Sequence, residues 1–218
     1  MKKIFLYGFL LAALTSAAQV VKIDHTYYTS WFSENKHIPV VVSYTLTQDM
    51  LQCGQKQKRK DKFKADPQHP KTTDLLLDYK NSGFDRGHNM PAADNECNST
   101  GMGECFYFSN MTPQPHSFNA GLWEKLEDHE RDEAAAHKKV IVVCGSLGER
   151  TTIGPHKVVV PEKMWKVIYN TATKEYKCYL FPNSDGLKGN FEDYGVPLNK
   201  IKEEAKVDFK DGAVKPEI

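Results

Sequence analysis

An α+β domain is what this sequence predicts, on three observations. Runs rich in β-branched and aromatic residues recur along the chain, as in "HIPVVVSYTLT" (37–47) and "VIVVCGSL" (140–147). One segment, about Asn119 to Lys138, reads strongly as a helix. The two kinds of element follow one another in mixed order rather than in a regular strand–helix alternation.

The chain starts with a positive pair, Lys2 and Lys3, passes through an apolar run from Ile4 to Leu14, and reaches Ser16-Ala17-Ala18. That order predicts a secretory signal peptide over residues 1–18. The run falls short of the roughly 20 apolar residues that span a bilayer. Residues 19–218 then read as a single domain in a secreted or periplasmic protein, with no membrane attachment after cleavage. The formal net charge of +1 becomes −1 once Lys2 and Lys3 are removed. A nearly neutral protein cannot draw a polyanion by net charge, so any such attraction comes from local patches.

The strand at 37–47 is followed by "QKQKRKDKFK" (55–64), with six cations against one Asp, and by "ADPQHP", whose prolines break regular structure. "FDRGHNMPAAD" (84–94) crowds Asp85, Arg86 and His88 around Gly87, a composition that suits neither a helix nor a central strand. "ECFYFSNM" (104–111) reads as a further strand, ended by "TPQP". In the helix that follows, Leu122 and Leu126 stand four apart, acids fill the early and middle turns, and His137, Lys138 and Lys139 close the C-terminal end. Beyond the 140–147 strand, "HKVVVPEKMWKVIYNTATKEYKCYLFPN" gives two or three strands with a turn near 170–174, and "VPLNKIKEEAKVDF" gives a short helix. Trp123 and Trp165 read as core aromatics. The five cysteines include no CxxC pair, which argues against a zinc ribbon or a thioredoxin-type site. Cys97 and Cys105 bracket a Gly-rich stretch that a small disulfide would staple.

Three features converge on phosphodiester chemistry. Hydrolysis needs a base for the attacking water, cationic cover for the phosphorane-like charge, and help for the leaving oxygen. His88 is a base near neutral pH, and Arg86 is a fixed cationic fork for phosphate oxygens. Read alone, Asp85 and Arg86 would equally make a surface ion pair. Asn119 stands at the helix start, where an asparagine ordinarily caps, yet its amide oxygen is also a hard ligand suited to Mg²⁺. In a regular helix Glu127 lies about 80° around and about 12 Å along from Asn119.

"DRGH" (85–88), "SNMTPQ" (109–114) and "FNAGLWEKLED" (118–128), in this order and spacing, resemble the DNA/RNA non-specific endonuclease family. Its members, secreted bacterial nucleases and mitochondrial endonucleases among them, share the ββα-metal fold: a mostly antiparallel sheet with a prominent metal-bearing helix. The resemblance implies His88 as general base, Asn119 as direct Mg²⁺ ligand (Mn²⁺ as the alternative ion), and Glu127 acting through the metal's water. It implies that Asn110 orients groups at the site and that Arg86 contacts phosphate, with Asp85 bracing the motif. Substrates would be DNA and RNA, cut with little sequence preference to leave 5′-phosphates. Family members place another arginine upstream of DRGH, where this chain has Asp61 in "RKDKFKADP"; Arg59, Lys60 or Lys62 would then supply the second cation. A catalytically inactive nucleic-acid-binding homologue is the alternative reading, a zinc phosphoesterase a more distant one, and a homodimer is left open.

Overall fold

The computed structural model describes residues 19–217 apart from Lys60, Thr73, Asp74 and the side chain of Pro70, so the predicted leader lies outside the described residues. The β-branched run forms a ten-residue strand at the middle of the fold, and the rest assembles around it. In chain order the strands are β1 (Val20–Asp24), β2 (Tyr28–Ser33), β3 (Ile38–Thr47), β4 (Phe84–His88), β5 (Met111–Pro115) and β6 (Lys139–Leu147). They continue as β7 (Thr151–Ile153), β8 (Val158–Val160), β9 (Lys163–Asn170), β10 (Tyr176–Pro182), β11 (Val207–Lys210) and β12 (Ala213–Pro216). Six of them make one sheet in the order β1-β2-β3-β6-β9-β10, antiparallel throughout.

Strand alternation divides the sheet's side chains between two cores. Val42, Tyr44 and Leu46 of β3, Val140, Val142 and Cys144 of β6, and Met164 and Ile168 of β9 pack beneath Leu122, Trp123, Leu126 and Ala134 of the helical segment. The opposite face buries Val41, Val143, Trp165 and Val167 under Ile201 of the C-terminal helix (Leu198–Ala205) and Val207. Both expected core tryptophans are fully buried. A third cluster, with Leu75, Tyr79, Phe108, Met111 and Val158, supports the β4–β5 ribbon. No described helix is long and apolar enough to cross a membrane.

Several expectations need correction. "ECFYFSNM" is not a strand: Ser99–Glu104 is helical, Phe108–Asn110 is a 3₁₀ turn, and only Met111 begins β5. Cys105, Phe106 and Phe108 are all buried, so their apolar run reflects packing on several sides rather than strand alternation. "FDRGH" does form a strand, paired only with β5 and outside the main sheet. β1 and β2, masked in the sequence by exposed polar residues such as Asp24, add two strands before the first one expected. The disulfide joins Cys53 to Cys97, not Cys97 to Cys105; Cys105 is buried and free.

Candidate active site

The ribbon pairs Arg86 with Pro113, Gly87 with Thr112 and His88 with Met111. Arg86 and His88, two residues apart, share one face of it. Gly87 sits at a close approach: a Cβ there would run into the side chain of Gln114. Immediately after β5 the chain turns into helix, giving a strand–strand–helix unit.

His88 sits at the end of β4, 7% exposed, with its ring edge against Phe106 (5.0 Å between centroids) and Phe63 beside it. Its carbonyl accepts the indole N–H of Trp123 at 3.1 Å. Nε2 has no protein partner. Burial first, then the guanidinium of Arg59 and, less, that of Arg86, push its pKa down to about 3, partly opposed by Asp61. The imidazole is therefore neutral at physiological pH. Arg86 stacks over Phe63 at 4.2 Å and Arg59 over Phe106 at 5.6 Å, so two aromatic rings carry the two guanidiniums.

Asn119 opens a π-type turn, Asn119–Trp123, in which Ala120 and Gly121 leave helical φ/ψ; the α-helix proper is Glu124–His137. Asn119 is thus not an N-cap, and the regular-helix angle expected between it and Glu127 does not apply. Its Nδ2 donates to Asp85 Oδ2 at 3.0 Å, and the same oxygen meets His116 Nδ1 at 2.8 Å. That bond fixes the amide plane and leaves Oδ1 available as a ligand. Glu127 makes no hydrogen bond to protein among the described residues, and burial, offset in part by Lys166, raises its carboxyl to about 8.

Arg59, Arg86, His88, Asn119, Glu124, Glu127 and Arg131 line one cleft of about 220 Å³ with Pro91, Ala92, Ala93 and Ala120. A larger open depression of about 420 Å³, between His25 and Met50, shares none of these side chains. Converging charge, not volume, marks the site. Of the five expected residues outside the basic run, four meet in this cleft. His88, Arg86, Asn119 and Glu127 share the cleft, whereas Asn110 is fully buried away from it, donating to the carbonyls of Met90 (2.9 Å) and Cys105 (2.8 Å) and accepting from the Met90 N–H (2.9 Å). Its amide is consumed in holding the backbone just after His88. Of the basic run, Arg59 lines the cleft, Lys62 borders a neighbouring cavity of about 210 Å³, and Lys60 lies outside the described residues. Sequence reading singled out neither Arg131 nor Glu124, which both line the cleft. Their spacing was a usable signal, since Glu124 and Arg131 flank Glu127 at i−3 and i+4 on one helix face.

A neutral imidazole, two stacked guanidiniums and hard oxygen donors on a strand–strand–helix unit define the ββα-metal nuclease class. The family model for DNA/RNA non-specific endonuclease matches residues 11–215, and the chain belongs to that family. It is 29% identical over 204 residues to the mitochondrial nuclease EXOG of Danio rerio, covering 85% of this chain and 59% of that one. It is 30% identical to the mitochondrial Nuclease 1 of Schizosaccharomyces pombe (83% of this chain, 63% of that one) and 36% identical over 151 residues to Nuclease C1 of Cunninghamella echinulata (66% and 60%). A chain of the EndoG/EndoGI complex, whose crystal structure addressed EndoG inhibition, superposes with a TM-score of 0.80 at 27% identity, covering 88% of this chain and 86% of that one. The chain spans under two thirds of the length of these curated relatives. The expected fold and nuclease family are borne out. The expectation of a secreted or periplasmic protein is overturned, because EXOG and Nuclease 1 are mitochondrial nucleases.

Proposed function

We propose that residues 19–218 act as one catalytic domain, a Mg²⁺- or Mn²⁺-dependent endonuclease. It hydrolyses DNA and RNA phosphodiesters with little sequence preference and leaves 5′-phosphate and 3′-hydroxyl ends. The carrying observation is that His88, whose buried Nε2 has no protein partner, lines the same cleft as Asn119, Glu127 and three arginines. The donor set fits a hard divalent cation: the free amide oxygen of Asn119, with the side chains of Glu127 and Glu124 lining the same cleft. Among the described residues no three His, Cys, Asp or Glu side chains cluster as a protein-only cage, so one amide ligand with a water shell is the fitting mode. Asn119 would hold the ion and Glu127 its water. The ion when bound supplies Lewis-acid cover for charge on phosphate and leaving oxygen.

The chain's own residues do the rest. His88 Nε2 takes the proton from the attacking water. Arg59 and Arg86 grip the non-bridging oxygens, and the incoming phosphate offsets the two charges that suppress the proton affinity of His88, strengthening the base as substrate binds. Asp85 holds the Asn119 amide, and Asn110 holds the backbone that follows His88. Contacts to phosphate carry no base information, which accounts for low sequence preference. The test is cleavage of supercoiled plasmid and of RNA with and without EDTA. Metal-dependent cutting of both is expected; binding without cutting would leave the inactive homologue as the reading.

A further inference from the structure

Lys166 lies on β9 between Met164 and Ile168, on the sheet face that packs the long helix, and it is fully buried. An ammonium there carries a desolvation cost, and a well-packed apolar side chain would serve stability as well or better. Its surroundings give the charge an occupation. Nζ donates to Glu130 Oε2 at 2.7 Å, and the other carboxylate oxygen accepts the Tyr44 hydroxyl at 2.6 Å. The same ammonium stands 4.6 Å from the ring centre of Trp123. Trp123 in turn donates its indole N–H to the His88 carbonyl. Burial would push Lys166 toward its neutral form, but Glu130, and then Glu127, more than reverse this.

Two cleft elements therefore meet at one buried cation. Glu130 follows Glu127 by three residues on the same helix, and Trp123 joins the start of that helix to the end of β4. We propose that Lys166 is a positioning residue, whose ammonium clamps the helix carrying Glu127 through Glu130 and the strand end carrying His88 through Trp123. It lies outside the cleft lining, so it touches neither substrate nor reacting atoms. Loss of the clamp should slow turnover while leaving substrate affinity, which rests on Arg59 and Arg86, nearly unchanged.

The inference rests on the nuclease reading, and its test separates the two. In Lys166→Met, kcat on duplex DNA at saturating Mg²⁺ should fall by about tenfold or more, as expected for a small misplacement, with KM within twofold of wild type. Because a lone buried Glu130 can prevent folding, Lys166→Met/Glu130→Leu removes both charges and should show the same split. Val167→Ala, on the opposite sheet face, should lower Tm and leave kcat alone. A folded variant with kcat within twofold of wild type overturns the clamp, as does an equal kcat loss in Val167→Ala. The Nε1–H resonance of Trp123 in metal-free protein should shift in Lys166→Met and not in Val167→Ala. Wild-type protein that fails to cut refutes the nuclease reading; that resonance then still decides the clamp, and an unmoved signal overturns it.

Discussion

His88 lines the cleft with its Nε2 unpartnered and its proton affinity held down by burial and by two arginines. His88→Ala should cost about 10²- to 10⁴-fold in kcat, the usual worth of a general base, with duplex binding by anisotropy preserved; near-normal turnover would move the base elsewhere. Asn119→Ala should raise the Mg²⁺ concentration for half-maximal cutting, and an unchanged metal titration would assign the ligand to another side chain. Glu127 makes a pH prediction. Its folded pKa, about 8, lies above the ordinary 4.5, so the unfolded chain releases its proton first. The associated stability is fully present below about pH 4.5 and is lost as pH rises through 8. In EDTA, Glu127→Gln should therefore melt higher than wild type at pH 8, and this advantage should vanish near pH 4. Equal melting temperatures at pH 8 would show that the carboxylate is not burdened by its burial.

At the scale of elements, the helix register was legible in the sequence and its irregularity was not. Leu122 and Leu126 mark the buried stripe correctly, but nothing in "NAGLW" announces that Ala120 and Gly121 break φ/ψ beside the Asn119–Asp85 bond. The basic run is similar. Its charge was legible, but the side chain that enters the cleft depends on how the loop is pinned. The Cys53–Cys97 disulfide and the Gln57 N–H to Glu96 carbonyl bond (2.7 Å) hold one end, and the bridge of Lys64 to Tyr107 holds the other. Arg59 hangs between these anchors. Cys53→Ser/Cys97→Ser should thus raise KM for DNA several-fold with a smaller change in kcat, because a looser loop weakens grip more than chemistry. A larger effect on kcat than on KM would contradict that division.

For the whole molecule, near-neutral net charge limits how it can hold nucleic acid. With two or three cationic contacts, the slope of log affinity against log salt should be about −2 to −3 on duplex DNA. Arg59→Ala should reduce its magnitude by about one. A slope several units steeper would mean a broad electrostatic surface instead of a local grip.

The sequence by itself determined the α+β class, the central β-branched strands, the long helix and the family, and it brought His88, Arg86, Asn119 and Glu127 forward as a group. These are properties of local pattern and of residue types at fixed spacing, which survive without coordinates. Tertiary structure alone decided the partner of Cys97, the strand pairing of "FDRGH", the entry of Arg59 and Arg131 into the cleft, and the occupation of Asn110 and Lys166. Each of these depends on which distant segment lies alongside. A disulfide partner 44 residues away, a two-stranded ribbon outside the main sheet and a charge neutralised across a helix–sheet interface are set by packing, and no local run of residues encodes them.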